Sequence, residues 1–120
     1  MKKLGDDLIN ASGLAPFFEV VNADEVGVTS PQLRRGDALR TYIHSLSGFQ
    51  KEAFVTSART GNTWRLVSDE GAYLAGHDAA PCPLAFLTTG MVSSYMNEIL
   101  ALAEQQGVEI RKLKLIQDNY

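Results

Sequence analysis

The sequence predicts an α+β domain in which an antiparallel β-sheet packs on one long central helix. Three observations carry this expectation. Residues 51–59 and 62–68 alternate as strands do and flank Thr60-Gly61-Asn62, the mark of a β-hairpin. Residues 83–106 repeat apolar side chains at the three-and-four spacing of a helix. The chain has 120 residues, 45% hydrophobic and 21% charged, which suits one packed core and argues against disorder over the whole length.

Charge and composition narrow the function classes. Eleven Lys+Arg against fourteen Asp+Glu leave a net charge of −3, so the chain has no general pull on phosphate backbones and no nucleic-acid partner is expected. No apolar run approaches the roughly 18 residues of a membrane span, so no membrane association is expected. The start, Met1-Lys2-Lys3-Leu4-Gly5-Asp6-Asp7, lacks the apolar run of a secretory signal and reads as cytoplasmic. Cys82 is the only cysteine, which excludes an intrachain disulfide and a multi-cysteine metal site. His44 and His77 match no zinc spacing, and the scattered glycines form neither a P-loop nor a dinucleotide fingerprint. No metal or cofactor is therefore expected.

Along the chain, residues 6–10 start a short helix that Gly13 and Pro16 interrupt. Phe17–Val21 is a short strand bounded by Asn22 and Asp24. Ser30-Pro31 has the form of an N-cap followed by a first-turn proline. With Leu33, Leu39, Tyr42, Ile43 and Leu46 it predicts a helix over 31–46, closed by Gly48. Arg34, Arg35 and Arg40 share this segment and read as a solvated polar face ahead of an anion site. Residues 1–49 thus form an N-terminal extension to the hairpin. Tyr73-Leu74-Ala75 is a short apolar element, and residues 76–81 form a loop.

The long helix has Leu84, Leu87, Met91, Tyr95, Ile99 and Leu102 on one face and Val92, Met96, Leu100 and Ala103 on the next. A helix apolar over so much of its circumference is expected to be buried on more than one side. Pro83 suits its first turn, and Gly107 suits the left-handed residue after its last. Thr88-Thr89 and Ser93-Ser94 are expected to bond back to the preceding turn, and no G-x-S-x-G elbow activates a serine. Val108, Ile110, Leu113, Leu115 and Ile116 predict a final strand with a register change near Arg111-Lys112. Its partner would be the hairpin or another chain.

Cys82 is the candidate reactive group. It stands between Pro81 and Pro83 at the helix start, where unpaired backbone N–H groups and the positive end of the helix dipole favour a thiolate. His77 and Asp78 share its loop, so an imidazolium would add to the effect. The competing reading is a small, partly buried apolar residue.

The segment from Gly76-His77-Asp78-Ala79-Ala80-Pro81-Cys82-Pro83 through Leu84-Ala85-Phe86-Leu87-Thr88-Thr89-Gly90-Met91-Val92-Ser93-Ser94 resembles the central-helix motif of the OsmC/Ohr family of thiol-dependent peroxide reductases. Leu102-Ala103-Glu104-Gln105-Gln106-Gly107-Val108-Glu109-Ile110 resembles that family's exit from the helix, so the likeness covers residues 50–120. It implies an intertwined homodimer, a place in the response to peroxide or redox stress, and a family fold of which this chain spans the N-terminal half. With Pro83 on the motif proline, the peroxidatic cysteine position falls on Ser94, and the glutamate that follows the proline in the organic-peroxide branch is Leu84. Arg59-Thr60-Gly61 resembles the branch's Arg-x-Gly turn. Peroxide reduction needs a thiolate that becomes a sulfenic acid, which a serine does not provide. Cys82 lies twelve positions before Ser94, roughly 18 Å along a helix, and does not inherit its place. The resemblance therefore implies a divergent or inactive peroxidase. Two alternatives stand beside it: a non-catalytic subunit that binds a small apolar or thiol ligand or serves assembly, and thiol chemistry centred on Cys82.

Overall fold

The computed structural model describes residues 2–120 and shows two compact units, one ending at Cys82 and the other Pro83–Tyr120. The fold is α+β, with a four-stranded antiparallel sheet in the first unit and a long helix in the second. The strands are β1 (Phe17–Val20), β2 (Leu39–Ser45), β3 (Lys51–Ser57) and β4 (Thr63–Ser68), in the order β1-β4-β3-β2. The expected hairpin is β3–β4. Gly61 turns it at φ 73°, a conformation that favours glycine.

Register divides the sheet into two faces. Phe18, Arg65, Phe54 and Tyr42 lie in one row across the strands, and Phe17, Leu66, Ala53 and Ile43 in a row on the other face. The first face is covered by the chain that follows β1. Asn22 caps a 3₁₀ turn, Ala23–Val26, Gly27 reverses it at φ 72°, and the Ser30 hydroxyl lies 2.8 Å from that of Thr56. This path buries Val28 in the small core with Phe54 and Val67. The opposite face leaves Phe17, Leu39 and Ile43 each more than half exposed.

The helix expected over 31–46 is absent. Residues 31–38 are irregular and Leu39–Ser45 is the edge strand β2. Thr41, Tyr42 and Ile43 are good strand formers, and pairing with β3 along the whole of β2 outweighs a cap motif followed by weak periodicity. Gly36, at φ 88°, interrupts the segment as well. Arg34 and Arg35 accordingly lie in a loop and Arg40 lies on β2, where its Nη1 donates to the Thr29 carbonyl and hydroxyl at 3.2 Å.

The short N-terminal helix is α1 (Leu8–Ser12), capped by the Asp7 carboxylate and ended by Gly13 at φ 68°. The second unit contains α2 (Pro83–Gln105), closed by Gly107 at φ 68°. Thr88 and Thr89 bond back to the carbonyls of Leu84 and Ala85, as their place in an apolar helix requires. Two expected features are not seen in this single chain. Residues 108–120 form no strand, because no strand edge in the unit offers them a ladder. No residue of α2 is buried either. The half-buried stripe is Ala85, Thr88, Val92, Met96 and Ala103, whereas the face of Leu87, Tyr95 and Leu102 is more than half exposed. Among the described residues no helix is long and apolar enough to cross a membrane.

Candidate functional site

The loop that carries Cys82 is organised by one buried carboxylate. Asp69 follows β4 and is fully buried. Its Oδ1 accepts from the backbone N–H of Glu70 at 2.7 Å. Its Oδ2 accepts from the Gln50 side chain at 3.1 Å and from the N–H groups of His77 and Ala79 at 3.2 Å. Burial alone would push this carboxyl up. The hydrogen bonds from Gln50, Glu70, Ala79 and His77 outweigh it and hold the group below its ordinary range. Pro81 is fixed in turn, its carbonyl accepting from Ser68 Oγ at 2.9 Å and from the Asp69 N–H at 3.3 Å. Cys82 therefore emerges half-buried from a pinned loop, directly before the first residue of α2.

Gln50 joins this loop to the N-terminus. It is fully buried, and its Oε1 accepts from the N–H groups of Leu8 and Ile9 at 2.8 and 3.1 Å. Its Nε2 donates to Asp7 Oδ1 at 2.8 Å as well as to Asp69. Hydrogen bonds from Gln50 and Asn10 lower the Asp7 carboxyl to about 2. Sequence reasoning singled out neither Asp69 nor Gln50, since apart from Glu70 their side-chain partners lie between 8 and 43 positions away and leave no local pattern.

Among the described residues neither His77 nor Asp78 makes a hydrogen bond to Cys82. The His77 ring nitrogen Nε2 pairs with the Gly5 carbonyl at 3.0 Å. Asp78 takes a left-handed conformation, φ 56°, and its N–H donates to the Glu70 carbonyl. Both serve the architecture of the loop. Among the described residues no group of three His, Cys, Asp or Glu side chains is placed to hold a metal ion. Arg59 lies in the β3–β4 turn and donates through Nη2 to the Gly36 carbonyl. Ser94 is exposed midway along α2, and Leu84 is half exposed in its first turn.

A second constellation occupies the first face of the sheet. Arg65 is only 4% exposed; its Nε donates to Glu52 Oε2 at 2.7 Å and its Nη1 to the Ala15 carbonyl at 3.2 Å. The guanidinium lies 5.4 Å from the centre of the Phe18 ring, within cation–π range. His44 meets Phe54 edge-on with ring centres 6.1 Å apart. The sequence alone does not imply this constellation: its pattern predicts a helix at His44, and nothing local signals that Arg65 and Glu52 pair. Nearby, hydrogen bonds from the Thr29 side chain and backbone lower the Tyr42 phenol to about 8.

With the geometry of both regions established, comparison with known proteins finds no matching family model, no matching curated protein and no matching solved structure.

Proposed function

We propose that this chain is an OsmC/Ohr-like subunit of the peroxide and redox stress response that keeps the scaffold and has lost the peroxidatic chemistry. It acts by binding a small apolar or thiol ligand, or by assembly, within a homodimer. The observation that carries this reading is the sequence of parts around Ser94. A hairpin turn bearing Arg59-Thr60-Gly61 precedes a loop and then a 23-residue helix that begins at Pro83. At the point where the resemblance calls for a thiolate, that helix carries a hydroxyl. A serine hydroxyl is not oxidised to a sulfenic acid, so the first chemical step has no reactant at this position.

The test is dithiol-dependent consumption of cumene hydroperoxide by the intact chain and by Cys82→Ser. The expected result is no turnover above buffer for either protein. Fast turnover that disappears in Cys82→Ser would overturn the proposal and make Cys82 the peroxidatic group. Fast turnover that survives the substitution would overturn it as well, by showing hydroperoxide chemistry without a thiol.

A further inference from the structure

A cavity of about 580 Å³ opens on the first face of the sheet, walled by β1, the 3₁₀ turn after it and strands β2–β4. All its lining residues belong to the first unit, so it is independent of α2 and of the reading above. Its size is that of small-molecule sites. We propose that it binds a small organic ammonium ion with an aromatic or branched apolar body.

The walls supply the apolar part. Phe18 and Phe54 present ring surface, and Val20 and Val26 extend it. The polar part is set by charge. Glu25 and Glu52 bring carboxylates to the cavity, against the Arg65 guanidinium and the His44 ring, whereas the Glu19 side chain alternates to the other face of β1. That guanidinium is already committed to Glu52, to the Ala15 carbonyl and to the Phe18 ring. An anionic ligand would meet two carboxylates and a guanidinium that is already neutralised. An ammonium ion meets the reverse. Glu52 also retains acceptor capacity: Oε2 takes the Arg65 hydrogen bond, whereas Oε1 faces His44 Nδ1 at 3.8 Å, beyond hydrogen-bond length. An ammonium N–H donates to that oxygen beside the His44 ring, Glu25 adds charge at the rim, and the aromatic walls favour the cation further. The Arg65–Glu52 pair holds the receiving carboxylate in place before any ligand arrives.

The experiment titrates the intact chain with three molecules of nearly equal shape: tryptamine as its ammonium, tryptophol and indole-3-propionate. Affinity is read by calorimetry and location by backbone amide shifts. The expected result is at least tenfold tighter binding of the ammonium than of the carboxylate, with tryptophol between them. Shifts are expected at residues 18–26, 44, 52–54 and 65. Glu25→Gln, on an exposed turn, is expected to weaken the ammonium severalfold, and Glu52→Gln to weaken it more. Three results would overturn the proposal: equal affinity for acid and amine, shifts confined to other residues, or no shift at millimolar ammonium with folded protein. Since Glu52→Gln also disturbs Arg65, an unchanged affinity in the well-folded Glu25→Gln variant counts against the proposal by itself.

Discussion

The side-chain amide of Gln50 donates to the carboxylate of Asp69 across 3.1 Å, with both residues fully buried. Gln50 stands just before β3 and Asp69 just after β4, so this contact closes the open end of the hairpin. The same glutamine holds the first N–H groups of α1, and the same aspartate holds the loop that leads to Cys82. Three pieces of chain that share no strand ladder are thereby tied at one point. A buried polar network of this kind stabilises only when every member is satisfied, and among the described residues no buried side-chain N or O atom lacks a partner.

Gln50→Ala is expected to destabilise the chain by roughly 3 kcal/mol. The substitution leaves the buried Asp69 carboxylate one donor short and two helix N–H groups without an acceptor, and such orphaned groups cost about 1–3 kcal/mol each before relaxation and water entry. Urea unfolding followed by the fluorescence of Trp64 measures the change. A loss below roughly 1 kcal/mol would mean that water replaces the amide at no cost.

Acid is expected to weaken the fold through Asp7 and Asp69. Both carboxyls sit below their ordinary value in the folded chain, Asp7 moving from 3.8 to about 2. A depressed carboxyl contributes stability that is fully present above its unfolded value and is lost as pH falls through the folded one. The stability curve should therefore be flat above about pH 5 as far as these two groups are concerned and fall between about pH 4 and 2. Asp7→Asn should flatten that fall in urea titrations repeated across the acid range. An unchanged slope would remove Asp7 from the account.

Two glycines are expected to respond in opposite directions to the same added methyl group. A Cβ on Gly76 would overlap the Glu70 carbonyl, a backbone atom that cannot step aside alone. Gly76→Ala should cost about 1–3 kcal/mol or more, as overpacking does. A Cβ on Gly90, in the middle of α2, meets nothing within 4 Å. Gly90→Ala should stabilise by about 0.5–1 kcal/mol, because glycine loses more backbone freedom in a helix than alanine does. Thermal unfolding of the two variants side by side checks both signs.

The exposed ridge of α2 is expected to be covered in solution by a second copy of the chain. Leu87, Tyr95 and Leu102 are 61, 58 and 53% exposed along one helix face. Contiguous apolar surface of this kind marks an interaction site. Sedimentation should show a dimer at micromolar concentration, and Tyr95→Glu should shift it toward monomer without loss of helical signal. A well-folded monomer of the unmodified chain would remove the argument.

The parts legible in the sequence are those in which neighbouring residues carry the whole signal. The β3–β4 hairpin announces itself by alternation around a glycine, and α2 by a repeat sustained over 23 residues between Pro83 and Gly107. The segment 31–46 misleads because Ser30-Pro31 is a sound helix start, while the decisive force on Leu39–Ser45 is pairing with a strand that comes later. Residues 108–120 mislead in the opposite way: they alternate well enough for a strand, but a strand exists only beside an edge. At the candidate sites, Cys82, Arg59 and Ser94 can be placed by local motif. The partners of His77 and Gln50 cannot, because they sit far along the chain and nothing near those residues points to them.

The cap on α1 has a consequence for the order of events in folding. A helix of five residues does not persist alone in water, since closing its first turn costs more than its few hydrogen bonds return. Here two of its leading N–H groups bond to a side chain more than 40 positions downstream. Until the hairpin has formed and delivered Gln50, that acceptor is missing. The N-terminal turn is thus a late arrival, added after the sheet and the first to leave when the chain opens. Amide exchange should show it as a separate, weaker unit, with Leu8 and Ile9 exchanging well before Phe54 and Val67.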